Sequence, residues 1–173
     1  MKAQTISQIQ YKIYIDMDGV LCDFLKRVKD ITNIKGDIND KKYKDPITKE
    51  YCWWKYARNK GEDFWSEMEF MKDGKKLWNK LQFYPYKEIL TICGKNDFGR
   101  IGKIKWVENN LNTSIPINIL SPHQSKSIYA NKYSILIDDM DKNLKEWTNA
   151  GGIAIKHVSF ANTYKELKKY INI

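Results

Sequence analysis

The sequence predicts an α/β fold, in which a parallel β-sheet carries helices on both faces, and three observations support this prediction. Short segments rich in Ile, Leu, Tyr and Val alternate along the chain with longer segments of helical periodicity. One short segment, residues 133–138 (YSILID), is almost continuously apolar, as expected for a strand buried on both faces of a parallel sheet. The chain of 173 residues is long enough for one domain with a sizeable core.

The first predicted unit is a strand followed by a helix. Residues 11–16 (YKIYID) alternate and are rich in residues that favour strands, so the strand is predicted to end at Asp16. Gly19 permits a sharp turn directly afterwards. Residues 22–34 carry apolar side chains at helical spacing, and Gly36 is a plausible end of this helix.

The alternation of helix and strand resumes at residue 74. The helix predicted over 98–111 is amphipathic, with Ile101, Ile104 and Val107 on its apolar side. The remaining predictions are helices over 74–82, 141–149 and 163–171, and strands over 87–92, 115–120, 133–138 and 153–156. Strands that alternate with helices in this way form a parallel sheet.

Residues 36–73 interrupt the alternation. They mix charged residues with aromatic ones, and two short helices are predicted over 50–58 and 62–70. This segment carries a dense set of aromatic residues, namely Trp53, Trp54, Phe64 and Trp65. Linkers do not carry such a set. We therefore interpret residues 36–73 as a small, mainly helical cap, inserted into an α/β core that is formed by residues 1–35 and 74–173.

The composition excludes several classes of protein. Hydrophobic residues make up 42% of the chain and aromatic residues 13%, too much for a disordered protein. No apolar run approaches the roughly 20 residues of a membrane-spanning helix, and the first ten residues lack the apolar segment of a secretory signal. The three cysteines form no CxxC pair, which argues against a cysteine zinc site or a disulfide framework and predicts a cytoplasmic protein.

The net charge of +9 arises from 30 Lys and Arg residues against 21 Asp and Glu residues. Such a charge would attract partners that carry phosphate groups. The lysines are spread along the chain rather than clustered, which also fits an ordinary solvated surface. The charge therefore leaves nucleic acid open as a partner without favouring it.

Polar residues stand at the predicted carboxyl ends of four consecutive strands, the edge at which parallel α/β sheets bind ligands. They are Asp16 and Asp18 (DMDGV), Thr91, Lys126 (SPHQSK), and Asp138 and Asp139 (ILIDDM). Carboxylates gathered so closely repel one another, and a divalent cation such as Mg²⁺ would relieve the repulsion. A lysine and a threonine are suited to the oxygens of a phosphate group.

The order D-x-D-G-V, Thr, Lys, Asp-Asp resembles the haloacid dehalogenase superfamily of phosphohydrolases, over residues 11–27 and 74–173. The segment DMDGVLCDF, the Phe-Trp pair at 64–65 and the pattern ILIDD…N…W…GG are most similar to the 5′(3′)-deoxyribonucleotidases and their phage and bacterial relatives. The resemblance implies a Rossmann-like core with a cap. It also implies Mg²⁺-dependent hydrolysis of phosphate monoesters, with (deoxy)ribonucleoside monophosphates as substrates.

The same resemblance implies a role for each residue of these motifs. Asp16 would be the nucleophile that forms an aspartyl-phosphate, and Asp18 would be the general acid and base. Thr91 and Lys126 would bind the transferring phosphoryl group.

A metal site is implied by the same motifs. Asp16, Asp138 and the main-chain carbonyl of Asp18 would hold Mg²⁺, whereas Asp139 would act through water or orient its neighbours. Dehalogenases of the superfamily lack a second aspartate at the position of Asp18 and need no metal. The resemblance therefore implies phosphoryl transfer rather than dehalogenation.

The pair Phe64 and Trp65 resembles the base-binding wall of the deoxyribonucleotidases, which predicts that one of the two rings stacks on a nucleobase. Packing inside the cap's own small core is the alternative for both side chains. Three other functions stay open: a phosphatase of nucleic-acid ends, a phosphatase of another small metabolite, and a non-catalytic nucleotide- or nucleic-acid-binding protein. The retention of Asp16 and Asp18 argues against the last of these, and the oligomeric state is not predicted.

Overall fold

The fold was analysed in a computed structural model that describes residues 9–94, 96–111 and 114–173. The strands are β1 (Lys12–Ile15), β2 (Lys87–Ile92), β3 (Ile117–Leu120), β4 (Ser134–Asp138) and β5 (Ile153–Lys156). They form one sheet in the order β3-β2-β1-β4-β5, and every neighbouring pair is parallel. The predicted α/β fold is confirmed.

Most helices lie close to the segments predicted to be helical, but the helix predicted over 62–70 covers only Asp63–Ser66. They are α1 (Phe24–Thr32), α2 (Trp53–Lys60), α3 (Asp63–Ser66), α4 (Lys72–Leu81), α5 (Asp97–Asn110), α6 (Asp141–Asn149) and α7 (Phe160–Leu167). Asp23 begins α1 as its N-cap, because its carboxylate accepts a hydrogen bond from the main-chain N–H of Lys26 at 2.8 Å. A single 3-10 turn, Lys126–Tyr129, follows β3 and carries one of the predicted site residues.

The sheet is covered on both faces. Successive residues of the central strand β1 point to opposite sides, so Ile13 and Ile15 join one hydrophobic cluster and Tyr14 joins another. The cluster around Tyr14 contains Trp147 of α6, whereas the larger cluster contains residues of α1, α4, α5 and α7. Because β1 lies between β2 and β4, its carboxyl end is at the middle of the edge where the site is predicted.

The segment 36–73 holds a 3-10 turn (Lys41–Tyr43), α2 and α3. Its buried residues belong to the same hydrophobic cluster as Ile13 and Ile15 of the sheet; they are Ile38, Trp53, Ala57, Phe64, Trp65 and Met68. The segment therefore shares a core with the α/β unit. Its separation from the core as a distinct cap stays a prediction.

The buried face of α5 differs from the predicted one. Ile101 is 41% exposed, and the buried residues of this helix are Gly99, Gly102, Lys103, Trp106 and Val107. A methyl group at Gly102 would overlap the main-chain carbonyl of Glu62, which immediately precedes α3. The close approach of α3 requires glycine on α5, and this requirement determines which face of α5 is buried. The prediction that Ile101 lies on the buried face was therefore wrong.

The expectation that no secretory signal precedes the fold concerns the first ten residues, and residues 1–8 of these lie outside the described part of the chain. Among the described helices, none combines the length and the apolar character that crossing a bilayer requires.

Candidate active site

Lys126 connects the carboxylates at the ends of two neighbouring strands. Its Nζ lies 2.8 Å from Asp16 Oδ1 and 2.6 Å from Asp138 Oδ2. All three side chains are buried. Burial opposes the positive charge of Lys126, but the two carboxylates outweigh it and raise the pKa of the lysine. Lys126 is therefore a fixed cation between the two acids.

Asp138 is held by more than this lysine. Its Oδ1 accepts a hydrogen bond from the main-chain N–H of Met140 at 2.8 Å. The side-chain amide of Asn143, on α6, lies 3.1 Å from Oδ1 and 3.0 Å from Oδ2. Burial and the charge of Asp16 still raise the pKa of Asp138. Both oxygens of Asp138 are thus engaged by protein donors.

Asp139 completes a cluster of three carboxylates. Asp16, Asp138 and Asp139 each offer an oxygen, and these oxygens lie within 4.8 Å of one another. Burial, followed by the charges of Asp16 and Asp138, raises the pKa of Asp139 to about 6. Gly19 borders the cluster with φ of 78°, and any larger residue there would overlap the Asp139 carboxylate. The three carboxylates could therefore hold a metal ion.

Asp18 is held by Lys103 of α5. Lys103 Nζ donates to Asp18 Oδ2 at 2.6 Å, to Thr91 Oγ1 at 2.7 Å and to the main-chain carbonyl of Ile92 at 2.8 Å. Asp18 Oδ1 is buried and has no hydrogen-bond partner within the described residues. Burial raises the pKa of Asp18; Lys103 opposes this rise and the charge of Asp16 adds to it.

Some of these residues line a cavity of about 440 Å³. Its polar wall includes Asp16, Asp18, Lys126, Asp139 and Asn143, and its apolar wall includes Phe24, Leu25, Ile38, Ile92 and Met140. A cavity of this size and mixed lining accommodates a small molecule with one anionic end and one apolar end.

Phe64 and Trp65 lie outside the lining of this cavity. Phe64 is fully buried and Trp65 is 4% exposed. Phe24 separates them from the cavity: its ring stacks on Trp65 at a centroid distance of 5.7 Å and meets Phe64 edge-on at 6.0 Å. The structure thus places the predicted pair behind Phe24, and stacking of a base on either ring stays a prediction.

The structure brings together all six polar residues that were predicted from the strand ends. Lys103, Asn143 and Phe24 are additional residues that the sequence analysis gave no role. The positions of Gly99, Gly102, Lys103 and Trp106 have the spacing of one helix face, so a lysine flanked by glycines on that face was the available signal for Lys103.

A family model described as "5′ nucleotidase, deoxy (Pyrimidine), cytosolic type C protein" matches residues 10–167. No curated protein matches the chain. The family match spans the whole of the sheet and the segment 36–73.

Solved structures of hydrolases share the fold at low sequence identity. A haloacid dehalogenase-superfamily hydrolase from Ehrlichia chaffeensis is 17% identical with a TM-score of 0.53, covering 95% of this chain and 99% of its own. The putative hydrolase YfnB from Bacillus subtilis, solved with bound magnesium, is 13% identical with a TM-score of 0.55, covering 95% and 100%. The hydrolase SP0104 from Streptococcus pneumoniae is 14% identical with a TM-score of 0.54, covering 93% and 90%. At these identities the similarity shows a common fold.

Proposed function

Because the chain belongs to the cytosolic type C family of deoxy (pyrimidine) 5′-nucleotidases, hydrolases of the haloacid dehalogenase type, we propose that it is a Mg²⁺-dependent phosphatase of nucleoside monophosphates. One observation carries the proposal. The two aspartates after β1 are each held by a buried lysine at one carboxylate oxygen, Asp16 by Lys126 and Asp18 by Lys103. Two oriented carboxylates beside a phosphate-binding cation suit nucleophilic attack followed by acid–base chemistry.

In the first step, Asp16 attacks phosphorus. Its Oδ1 accepts the main-chain N–H of Met17 at 2.7 Å and contacts Lys126, so Oδ2 is the oxygen available for attack. The new O–P bond forms as the ester O–P bond breaks, and the leaving oxygen takes a proton from Asp18. The product of this step is an aspartyl-phosphate on Asp16 and a free nucleoside.

In the second step, water attacks the phosphoryl group and gives a proton to Asp18. The bond between phosphorus and Asp16 breaks, phosphate leaves, and both aspartates return to their starting state. Lys126 and the Thr91 hydroxyl bind the phosphoryl oxygens and offset the negative charge that develops in each step.

The cluster of Asp16, Asp138 and Asp139, with the main-chain carbonyl of Asp18, would hold Mg²⁺. A bound cation would neutralise the acidic edge and polarise the phosphoryl group. The sequence analysis gave Asp138 the direct contact and Asp139 an orienting role, but the hydrogen bonds favour the reverse order. Both oxygens of Asp138 accept hydrogen bonds from Lys126, Met140 or Asn143, and we propose Asp139 as the direct ligand.

The apolar wall of the cavity supports a nucleoside as the group that carries the phosphate. Phe24 and Leu25, at the start of α1, and Ile38 line the side of the cavity that is formed by α1 and the segment 36–73. An aromatic ring in this wall offers a stacking surface to any base. Phe64 and Trp65 would then act on the base through Phe24, unless the segment 36–73 moves.

The test is a phosphatase assay on a panel of 5′- and 3′-nucleoside monophosphates, with Mg²⁺ and then with excess EDTA. We expect hydrolysis of the mononucleotides with Mg²⁺ and loss of activity with the chelator. The variant Asp16→Asn serves as the control, because an amide cannot form the phosphoryl intermediate, and a loss of several orders of magnitude is expected. Full activity in EDTA, or turnover by Asp16→Asn close to that of the wild type, would contradict the proposal.

A further inference from the structure

Lys103 is a completely buried lysine at the edge of the proposed active site. Its side chain has no exposed surface, and its Nζ is surrounded by three oxygen atoms at hydrogen-bond distance. Burying an ammonium group is costly unless it is paired and its donors are satisfied. Here the three acceptors match the three N–H donors of a lysine, so the position of Nζ is fixed.

Two of the three acceptors belong to the proposed reaction. Lys103 binds only Oδ2 of Asp18, while Oδ1 is buried without a hydrogen-bond partner among the described residues. Because Oδ2 accepts a hydrogen bond from an ammonium group, Oδ1 is the oxygen on which Asp18 would carry its proton. Lys103 also donates to Thr91 Oγ1, and this leaves the proton of that hydroxyl free for a phosphoryl oxygen.

We propose that Lys103 is a positioning residue for the proposed hydrolysis, one that orients the acid–base Asp18 and the phosphate-binding Thr91 together. The proposal rests on the proposed function, because it assigns Asp18 and Thr91 their roles there. Lys103 does not touch the reacting atoms. It determines which oxygen of Asp18 is free and where the hydroxyl of Thr91 donates.

A side chain of the segment 36–73 also packs against Lys103. The indole ring of Trp65 lies over Lys103 Nζ, at 5.3 Å from the ring centroid. Gly99 and Gly102 let Trp65 and its helix α3 approach α5 this closely, since a Cβ atom on Gly102 would lie 2.6 Å from that of Trp65. Trp65, predicted as a base-stacking residue, therefore encloses the lysine that holds the acid–base.

Lys103→Met tests the proposal, because methionine keeps much of the volume and removes all three donors. Lys87→Met is the matched control. Lys87 is another buried lysine, 9% exposed, and its Nζ donates to the main-chain carbonyls of Gln82 and Tyr84 before β2, remote from the site. Both variants lose a buried lysine, but only one loses contact with Asp18.

The readout is kcat/KM for two substrates with different leaving groups, since this parameter reports the reaction up to departure of the first product. A nucleoside monophosphate releases an alkoxide that needs a proton, whereas p-nitrophenyl phosphate releases a stable phenolate that does not. For Lys103→Met we expect kcat/KM for the nucleotide to fall about a hundredfold, the scale of a misplaced catalytic group. For p-nitrophenyl phosphate, kcat/KM should fall by at most about tenfold. Lys87→Met should lower neither.

Equal losses on both substrates would overturn the proposal that Lys103 orients the acid–base, because neither a merely structural role nor loss of the contact with Thr91 depends on the leaving group. If Lys103→Met does not fold, Lys103→Gln applies the same comparison while keeping an amide donor, and the same selective loss is expected. If the wild type hydrolyses no nucleotide, a simple alkyl phosphate replaces it in the comparison. Failure of the nucleotide assignment and failure of the lysine's role thus give different results.

Discussion

Among the described residues, Asp16, Asp18 and Asp138 at the carboxyl edge of the sheet each pair with a lysine, whereas Asp139 pairs with none. Lys126 pairs with Asp16 and Asp138, and Lys103 pairs with Asp18. Asp139 instead faces two other carboxylates, and its pKa rises to about 6 as a result of burial and their charge. The ionised form of Asp139 becomes favourable when a cation binds beside it.

This difference in partners predicts that substitutions of Asp138 and Asp139 change the Mg²⁺ requirement to different extents. Asp138→Asn and Asp139→Asn are matched changes of similar shape. Because Asp138 is held by Lys126 and Asn143, Asp138→Asn should raise the Mg²⁺ concentration for half-maximal activity by about tenfold, as for a residue that orients a ligand. Asp139→Asn should raise it further, since the variant removes from the cation site a charge that no lysine of the described residues neutralises. Mg²⁺ titrations of activity for both variants measure this difference, and the opposite order would restore Asp138 as the direct ligand.

At the scale of the elements, the contact between α3 and α5 depends on glycine. Gly102 lies where a side chain would overlap the carbonyl of Glu62, while a methyl group at Gly99 would have its nearest neighbours, Cys93 and Trp65, at 3.4 Å. In an isolated helix either glycine would be destabilising, because the helix propensity of alanine is more favourable than that of glycine by about 1 kcal/mol. The close packing of α3 must therefore compensate for this preference.

We accordingly expect Gly102→Ala to lower the free energy of unfolding by about 1–3 kcal/mol, the range for an overpacked contact, despite the better helix propensity of alanine. Gly99→Ala is the control on the same helix, and its effect should be smaller because its neighbours lie farther away. Denaturant unfolding of the two variants gives the comparison. A Gly102→Ala variant as stable as the wild type would mean that α3 does not rest on α5 as described.

The elements also show what the sequence could predict. The strands were predicted well because buried parallel strands are short apolar runs, and the carboxyl ends of such strands meet at one edge. Thr91 and Lys126 could be placed for this reason. Lys103 was missed, because apolar periodicity put Ile101 on the buried face, whereas glycines and a paired lysine occupy it. The position of Phe24 in front of Phe64 and Trp65 depends on how the segment 36–73 folds over α1, for which the sequence has no regular pattern.

For the whole molecule, the net charge of +9 raises the question whether the substrate is a mononucleotide or the end of a nucleic acid. A second cavity of about 510 Å³ in the segment 36–73 is lined by four cationic and several tyrosine side chains, namely Lys42, Lys44, Lys55 and Arg58 with Tyr43, Tyr51 and Tyr56. Its charge is partly neutralised, because Asp45 and Glu50 line the same cavity and Arg58 pairs with Glu50 at 2.7 Å. The cationic character of this cavity is therefore weaker than its four positively charged side chains alone indicate.

These observations favour the mononucleotide. The cavity of about 440 Å³ at the catalytic residues has its own apolar wall, formed by Phe24, Leu25, Ile38 and Met140, that would receive a single base. We expect kcat/KM for a deoxyribonucleoside 5′-monophosphate to exceed that for a 5′-phosphorylated oligonucleotide at about 0.15 M salt, the ionic strength at which surface charges are screened beyond about 8 Å.

The salt dependence of kcat/KM distinguishes the two substrates. A protein that holds a single strand loses affinity with salt at a slope of about −0.7 per phosphate contact in a double-logarithmic plot. Because the partly neutralised cavity offers few such contacts, the slope for the oligonucleotide should stay close to that for the mononucleotide. Replacing Lys42, Lys44 and Lys55 by glutamine should then change neither activity. A much steeper slope for the oligonucleotide, abolished by the triple variant, would instead identify nucleic-acid ends as the substrate and the basic cavity as the surface that binds the strand.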